Sequence, residues 1–189
     1  MSANILYVDD EPHNLSAFAA TYRRLYKIFT AESAEEGRKI LDREDIHIII
    51  TDQRMPRTTG VEFLASILEA HPDPIRMILT GYTDIDAVID AINKGQVYRY
   101  IQKPWMEEDL RINIEKAIEI YTLRKENKEL TEKLLVANRQ LEFIARQNLL
   151  SWSAFHSPLL MYGFRRYKYT VQAFLASFID RLTNLILSL

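Results

Sequence analysis

Five residues of this chain that could take part in phosphoryl chemistry each follow a short apolar run. Asp9 and Asp10 follow the first run, Asp52 another, and Thr80 and Lys103 two later ones. Such runs are typical of buried strands, and the carboxyl ends of parallel strands lie together beside the ligand crevice of an open α/β sheet. Three carboxylates, a hydroxyl and an ammonium at that edge predict a Mg²⁺-dependent site that accepts a phosphoryl group.

The chemistry explains why these residue types belong together. A carboxylate that attacks a phosphoryl group meets repulsion between like charges, so a divalent cation has to bridge the two. Mg²⁺ takes oxygen ligands, commonly one or two carboxylates together with phosphate oxygens and water. The three aspartates can supply these carboxylates, while Lys103 can cover a second phosphoryl oxygen as a point charge and Thr80 can donate to a third. We expect Gly81 to let the backbone approach closely.

Each of these residues also has a simpler explanation. Paired acids at a strand end are often solvated loop residues, a lone aspartate often forms a turn, and a lysine before a proline is usually exposed. The order of all five at the ends of successive strands argues against coincidence. The four histidines are scattered, and no glycine-rich phosphate loop, GGDEF-like motif or HD-type motif is present, so we expect neither a zinc site nor a histidine phosphodonor.

The elements that must position these residues alternate along the first 120 residues. Strands are predicted at 5–8, 26–29, 46–50, 75–79 and 97–101. Helices are predicted from Pro12, Ser33, Gly60, Thr83 and Glu107, with a capping box between Ser33 and Glu36. Five strands with interleaved helices imply right-handed crossovers and a parallel sheet covered on both faces. The expected fold class is therefore a doubly wound α/β domain.

Composition sets broad limits on the chain. The 189 residues are 48% hydrophobic, enough for one domain and an extension, and they include no cysteine. The net charge of −2 is divided unevenly, with +4 in residues 143–189 and −6 in residues 1–142. We see neither a signal peptide nor an apolar run long enough to span a bilayer, and we expect a cytoplasmic protein.

The sequence around the strand ends resembles the receiver domains of two-component response regulators, over residues 3–120. The stretches that carry the resemblance are Asp-Gln-Arg-Met-Pro at 52–56, Leu-Thr-Gly-Tyr-Thr-Asp at 79–84 and Tyr-Arg-Tyr-Ile-Gln-Lys-Pro-Trp at 98–105. They look most like receivers of hydrogenase regulators and HD-GYP-type regulators. The resemblance implies a flavodoxin-like fold, phosphorylation by a cognate histidine kinase, and no enzymatic activity beyond Mg²⁺-dependent autophosphorylation and autodephosphorylation.

The resemblance also implies the roles of the acidic residues. Asp52 matches the phosphoacceptor of receivers. Asp9 and Asp10 match the acidic pair that binds Mg²⁺ together with Asp52, and the backbone carbonyl of Arg54 is a further ligand. Thr59 stands where many receivers have aspartate, and we expect this difference to have little effect.

The remaining roles concern the response to phosphorylation. Thr80 matches the switch hydroxyl, Tyr100 the aromatic switch residue, and Lys103 the lysine of the catalytic set. Arg54 and Tyr82 occupy positions that modulate how readily water reaches the acyl phosphate. We expect these bulky residues to slow hydrolysis, so that replacing both with small residues shortens the phosphorylated lifetime.

A heptad pattern follows the predicted domain. It lies between Glu107 and Pro158, a stretch without a helix breaker. Its seam consists of Leu123, Asn127, Leu130, Leu134, Ala137, Leu141, Ile144 and Asn148. An asparagine in a seam pairs with its copy across a parallel dimer and fixes the register. We therefore predict a parallel homodimeric coiled coil over 121–150, after a receiver domain over 1–120. The alternative is a single amphipathic helix that folds back on its own domain.

The last segment, 151–189, is harder to interpret. Residues 151–170 are basic and aromatic without an acidic residue, and residues 171–189 form one apolar stripe at helical spacing. Asp180 and Arg181 in this stripe argue against a membrane span, and packing on a partner helix is favoured over membrane contact. No DNA-binding module is recognised, since a helix-turn-helix needs two short helices. The role of this tail stays unassigned.

Two functions remain open at this point. In the first, phosphorylation of Asp52 is relayed through the last helix of the domain to a dimeric coiled coil and a tail that bind an unknown downstream protein. In the second, the chain is the receiver half of an effector-enzyme regulator whose output domain is missing or on another chain. A haloacid-dehalogenase-type phosphatase is disfavoured, because it would need an Asp-x-Asp motif where Asp9 and Asp10 are adjacent.

Overall fold

The computed structural model describes residues 3–81, 89–92, 96–155 and 176–177. The strands and helices of these residues are β1 (Asn4–Val8), α1 (Pro12–Tyr22), β2 (Lys27–Ala31), α2 (Ala34–Leu41), β3 (Ile48–Asp52), α3 (Gly60–Ile67), β4 (Ile75–Thr80), β5 (Arg99–Gln102) and α4 (Glu107–Phe155). Residues 89–92 are also helical. The predicted start of a helix at Thr83 lies outside the described residues. So does the predicted tail, apart from residues 151–155, which continue the last helix, and the helical residues 176–177.

The five strands form one parallel sheet in the order β2-β1-β3-β4-β5. This confirms the predicted α/β fold class, and α4 follows the sheet as a single long helix. Three strands begin one or two residues later than predicted. Tyr26, for example, donates its backbone N–H to the carbonyl of Tyr22, so it belongs to the turn after α1 and the strand begins at Lys27.

Both faces of the sheet are covered, and successive side chains of a strand point to opposite faces. On one face, Ile5 and Tyr7 of β1 pack in a cluster with residues of α1 and with Leu110 and Ile114 of α4. On the other face, Leu6 and Val8 of β1 lie in a cluster with residues of α2 and α3. Burial on both faces is the reason that the strands appear in the sequence as unbroken apolar runs.

The N-terminus of α2 is capped only in part as predicted. The Ser33 hydroxyl accepts a hydrogen bond from the backbone N–H of Glu36 at 3.3 Å. The Glu36 carboxylate accepts from the backbone N–H of Glu32 at 2.8 Å, one residue before the cap. The predicted capping box is therefore half formed.

The complete capping box lies at α3. The Thr59 hydroxyl accepts from the backbone N–H of Glu62, and the Glu62 carboxylate accepts from the backbone N–H of Thr59 at 2.8 Å. Thr59 thus fixes the start of the helix that follows the loop after Asp52. The Thr-x-x-Glu spacing is a known signature of a helix start, and our sequence interpretation overlooked it.

A close approach between backbone segments occurs at Gly60. A Cβ at Gly60 would collide with the backbone carbonyl oxygen of Asp52, whereas a Cβ at Gly81 would meet no atom of the described residues within 4 Å. The expected close approach at Gly81 concerns a phosphoryl group and stays a prediction. The crowding lies where α3 begins against the end of β3.

Helix α4 changes character along its length. Leu110, Ile114 and Ala117 are fully buried in the core of the domain. Farther on, Tyr121 stacks on His47 with 4.7 Å between ring centroids, and Lys128 contacts Asp73 at 3.3 Å.

The chain divides into two compact units, Met1–Leu130 and Thr131–Leu189. Within the described ranges, every helix is too short or too polar to cross a membrane.

Candidate functional site

Asp9 lies directly after β1 and is almost completely buried, with 1% of its surface exposed. Its Oδ2 accepts a hydrogen bond from the Tyr7 hydroxyl at 2.6 Å, and its Oδ1 accepts from the backbone N–H of Glu11 at 3.0 Å. The Asn14 side-chain amide reaches both oxygens, at 3.0 and 3.1 Å. A buried carboxylate is costly unless such donors surround it, so these contacts fix both the charge and the orientation of Asp9.

Asp52 is the last residue of β3, and its carboxylate and that of Asp9 both contact one ammonium group. The Lys103 Nζ contacts Asp52 Oδ1 at 2.5 Å and Asp9 Oδ2 at 3.3 Å. The other oxygen of Asp52 accepts from the backbone N–H of Arg54 at 3.0 Å. Lys103 reaches this place because its backbone N–H donates to the carbonyl of Thr80, which continues the ladder beyond β5.

The pKa values of two groups are displaced by this arrangement. Burial raises the pKa of the Asp9 carboxyl, but the donors Tyr7, Glu11 and Asn14 and the charge of Lys103 outweigh burial, so the pKa lies below its usual value. Burial lowers the pKa of Lys103, but the two aspartates outweigh it and the pKa is raised. Asp9 is therefore ionised and Lys103 charged at neutral pH.

The predicted switch residues lie on the neighbouring strands. Thr80 ends β4, is 1% exposed, and donates its hydroxyl to the carbonyl of Gly81 at 3.1 Å. Tyr100 of β5 is partly buried against the core cluster on the α2 and α3 side of the sheet. Asp10 is half-buried and Arg54 is exposed. Tyr82 lies outside the described residues.

The donors at this edge of the sheet suit Mg²⁺. Among the described residues, no three Asp, Glu or His side chains are grouped closely enough to hold a metal ion by themselves. The carboxylates of Asp9 and Asp52 nevertheless contact the same Lys103 ammonium, so they lie close together, and a second cation between them would reduce their repulsion further. Mg²⁺ usually takes one or two protein carboxylates and completes its shell with water and phosphate oxygens, so the ligand set fits this ion.

Sequence reasoning missed three residues that shape the site. Tyr7 and Asn14 hold the carboxylate of Asp9. Gln53 shapes the loop after β3, since its backbone carbonyl accepts from Gly60 and its side chain accepts from the backbone N–H of Val61 at 3.2 Å. Tyr7 was detectable in principle, because residues two apart on a strand face the same side.

A comparison with protein-family models decides the family. Residues 5–115 match the response regulator receiver domain. The chain belongs to this family. Receiver domains serve two-component response regulators in phosphorylation-controlled signalling and typically bind Mg²⁺ at the acidic pocket, and they are typically phosphorylated by histidine kinases.

Individual relatives agree with this family. The chain is 36% identical to the hydrogenase transcriptional regulatory protein HoxA of Bradyrhizobium diazoefficiens, over 67% of this chain and 26% of that protein. It is also 36% identical to HoxA of Cupriavidus necator, over 79% of this chain and 31% of that protein. The chain thus spans less than a third of the length of these relatives.

A solved structure gives the same result for the fold. The response regulator receiver domain protein of Clostridium thermocellum has 34% sequence identity and a TM-score of 0.61, over 64% of this chain and 98% of that chain.

Proposed function

We propose that this receiver accepts a phosphoryl group on Asp52 from a cognate histidine kinase in the cytoplasm. One observation supports this proposal above all others, namely the Lys103 ammonium held between Asp52 and Asp9 at the carboxyl edge of the sheet. Phosphoryl transfer depends mainly on positioning and on neutralisation of charge. An acceptor at the end of a strand, largely buried and with a fixed cation beside it, meets both needs.

The proposed step is an in-line displacement at phosphorus. An oxygen of Asp52 forms a bond to phosphorus while the bond from phosphorus to the imidazole nitrogen of the kinase breaks. The nitrogen keeps the bonding electron pair, and the other ring nitrogen of the phosphoimidazole carries a proton throughout, so the kinase regains a neutral imidazole. Lys103 stays beside the phosphoryl oxygens, and the backbone N–H of Arg54 holds the second carboxylate oxygen.

Bound Mg²⁺ would neutralise charge between the carboxylates and the incoming phosphoryl group. We propose that Asp9, Asp10, Asp52 and the backbone carbonyl of Arg54 hold it. Arg54 and Tyr82 would then modulate access of water to the acyl phosphate, as the family resemblance implies.

The proposed output begins at Thr80 and Tyr100. A phosphoryl group adds roughly −1.5 to −2 charge and three acceptor oxygens to Asp52. The Thr80 hydroxyl, which donates to Gly81 in this structure, would turn to one of these oxygens and leave room for Tyr100 to move inward. Helix α4 packs on the other face of the sheet from Tyr100, so the change would pass through β5, whose Ile101 lies in the same cluster as Leu110 and Ile114.

We further propose that α4 forms a parallel dimeric coiled coil after the receiver. Support comes from the exposure of the seam residues, with Leu123, Leu130, Leu134, Leu141 and Ile144 each 50–64% exposed. Apolar side chains repeated every three to four residues on an exposed helix suit pairing with a second copy. The dimer and the segment beyond it would bind the downstream protein.

The phosphorylation proposal is tested by intact-protein mass after incubation with acetyl phosphate and Mg²⁺. We expect one phosphoryl group on the wild type and none on Asp52→Asn. Asp42→Asn is the matched control, because Asp42 is an exposed carboxylate that contacts His71 outside the acidic site. Incorporation into Asp52→Asn equal to that of the wild type would refute the assignment of the acceptor.

The dimer proposal is tested by light-scattering mass with and without beryllofluoride and Mg²⁺. A mass or hydrodynamic radius that responds in the wild type but not in Asp52→Ala supports a coiled coil switched by phosphorylation. A dimer that ignores the mimic leaves the acceptor proposal intact and moves the output to the tail or to another protein. A monomer in every condition would refute the dimer.

A second candidate is that the chain is the receiver half of a longer or divided effector regulator. The HoxA relatives support it, since they are transcriptional regulatory proteins of which the match covers less than a third. Deletion of residues 151–189 tests whether this chain carries its own output in the tail. Loss of partner capture without loss of dimerisation favours a docking tail, whereas loss of dimerisation favours a tail that closes a helical bundle.

A further inference from the structure

The most unusual contact of the acidic site is made by a tyrosine in the hydrophobic core. Tyr7 has no exposed surface, and its ring stacks on Phe18 with 4.4 Å between centroids. Its hydroxyl is nevertheless aimed at the carboxyl edge of the sheet and donates to Asp9 Oδ2 at 2.6 Å. Burial and the neighbouring carboxylate of Asp9 raise the pKa of Tyr7, so the phenol stays protonated and acts only as a donor.

Asp9 Oδ2 accepts from two competing groups, the Tyr7 hydroxyl at 2.6 Å and Lys103 at 3.3 Å. Lys103 in turn lies closer to Asp52, at 2.5 Å. A hydrogen bond from Tyr7 offsets part of the negative charge of Asp9, so less of that charge attracts the ammonium. The hydroxyl therefore helps to decide how Lys103 is shared between the two carboxylates.

We propose that Tyr7 is a positioning residue that orients the Asp9 carboxylate for Mg²⁺ and keeps Lys103 on the Asp52 side of the site. The inference rests on the proposed phosphoryl-accepting function, which makes the acidic site a Mg²⁺ site. Tyr7 acts through Asp9 and touches neither the phosphoryl group nor the metal. Hydrogen bonds that orient a ligating carboxylate typically change metal affinity about 10- to 100-fold when they are removed.

Removal of the hydroxyl alone has a defined consequence. In Tyr7→Phe the ring can keep its stacking on Phe18, while Asp9 loses one of its donors in a buried place. Lys103 is then drawn from Asp52 toward Asp9, and an arriving Mg²⁺ has to displace a tighter ion pair. We expect Mg²⁺ to bind about tenfold more weakly. At saturating Mg²⁺ the ammonium returns to Asp52, so the maximal rate of phosphorylation should stay within about twofold of the wild type.

Tyr22→Phe is the matched control for this substitution. Tyr22 belongs to the same core cluster and is also buried, but it donates its hydroxyl to the backbone carbonyl of Glu107 at 3.0 Å rather than to Asp9 or Asp52. Both variants therefore lose one hydrogen bond of a buried tyrosine. A purely structural role of Tyr7 predicts equal behaviour of the two variants.

The experiment is a Mg²⁺ titration of the full chain. Its readout is the fluorescence of Trp105, whose ring centroid lies 5.8 Å from Lys103 Nζ. A Trp152→Phe background removes the second tryptophan. The rate of phosphoryl incorporation from acetyl phosphate is measured at each Mg²⁺ concentration. We expect a tenfold higher half-saturating Mg²⁺ concentration in Tyr7→Phe, a nearly unchanged maximal rate, and wild-type values in Tyr22→Phe.

The outcomes separate this inference from the proposed function. Half-saturation of Tyr7→Phe within twofold of Tyr22→Phe overturns the role of Tyr7, as does a reduced maximal rate with unchanged half-saturation. Mg²⁺ binding without phosphoryl incorporation in the wild type refutes the proposed function but leaves the binding comparison valid. A wild type without any Mg²⁺ response overturns both.

A second variant keeps the inference testable if Tyr7→Phe fails to fold. Asn14→Ala removes a different donor from the same carboxylate at a half-buried position on α1. It should also weaken Mg²⁺ binding with little change in the maximal rate. Unchanged binding in Asn14→Ala, with Tyr7→Phe unfolded, would overturn the view that donors to Asp9 set its affinity for Mg²⁺.

Discussion

Charged groups lie buried at the carboxyl edge of the sheet, whereas apolar side chains lie exposed along α4 after Tyr121. Asp9 and Asp52 are 1% and 8% exposed, while Leu130 and Leu141 are 57% and 64% exposed. Both regions depart from the usual distribution, in which charges face water and large apolar groups form the core. Such departures indicate function more reliably than the ordinary core does.

The two departures differ in where the compensation comes from. The buried carboxylates have their donors and their cation within the same domain, through Tyr7, Asn14 and Lys103. The exposed leucines of α4 gain nothing comparable from the described residues, which leave 46–64% of the surface of each in contact with solvent. The acidic site is therefore preorganised within one chain, whereas the leucines of the helix would be covered by a second copy in the dimer that we propose.

The largest effect is expected from removing the shared cation. Lys103→Met leaves two adjacent carboxylates without their ammonium and removes a charge from the phosphoryl site. The rate of phosphoryl incorporation should fall about 100-fold or more. In EDTA the free energy of unfolding should fall by about 2 kcal/mol, less than for a fully buried pair because Lys103 keeps contact with solvent. Urea unfolding and acetyl phosphate kinetics measure the two effects.

Lys39→Met is the control for that substitution. Lys39 pairs with Glu35 one helical turn away, and both side chains are well exposed. Solvent screens such exposed pairs, so this variant should unfold and react like the wild type. Equal unfolding of the two lysine variants would show that the buried carboxylates do not depend on Lys103.

The second effect compares one substitution at two positions of the same helix. Leu110 is fully buried in the domain core, and Leu130 is 57% exposed. Leu110→Ala should lower the free energy of unfolding by about 3 kcal/mol at any protein concentration. Leu130→Ala should change it by less than about 1 kcal/mol in dilute protein, with a larger loss only where the dimer forms. Urea unfolding at several concentrations distinguishes the two.

The outcome that would contradict this contrast is equally clear. A concentration-independent loss of about 3 kcal/mol in Leu130→Ala would show that Leu130 is packed within its own chain. The alternative from the sequence, a helix that folds back on its own domain, would then be correct.

The sequence was sufficient for the fold and for part of the site, because parallel strands bring their carboxyl ends to one edge. That rule placed Asp52 near Asp9 and Lys103, and the structure brings these three together. Local donors were harder to foresee. Strand alternation places Tyr7 on the same side as Asp9, but it does not show that the Tyr7 hydroxyl reaches this carboxylate or that the ring stacks on Phe18.

Smaller errors have the same origin. The crowding at Gly60 was not foreseen, because it depends on where α3 begins against the end of β3. The capping box formed fully at Thr59 and only partly at Ser33, since the Glu36 carboxylate finds the backbone N–H of Glu32 instead. Spacing predicts which groups can meet, and tertiary geometry decides which of them do.

A third, smaller effect tests which face of α4 pairs. Leu134 lies in the predicted seam, whereas its neighbour Leu135 does not, and the two are 54% and 46% exposed. Leu134→Lys should raise the dissociation constant of the dimer about 30-fold, equivalent to about 2 kcal/mol, because it would bury a charge in the seam. Leu135→Lys should change it by less than about threefold. Sedimentation equilibrium measures both constants, and a reversed order would place the interface on the other face.

The smallest effect concerns acid pH and distinguishes buried from exposed carboxylates. The folded chain holds the pKa of Asp9 below its usual value. The resulting stability is fully present above the usual pKa, and it is lost as the pH falls from there through the lowered pKa of the folded chain. Between about pH 5 and about pH 3 in EDTA, the wild type should therefore lose more free energy of unfolding than Asp9→Asn.

Glu108 of α4 also has a lowered pKa, through Arg111, but it is exposed. Added salt should therefore abolish the contribution of Glu108, measured with Glu108→Gln, and preserve that of Asp9. Equal salt sensitivity of the two variants would show that Asp9 is as open to solvent as a carboxylate on the helix surface.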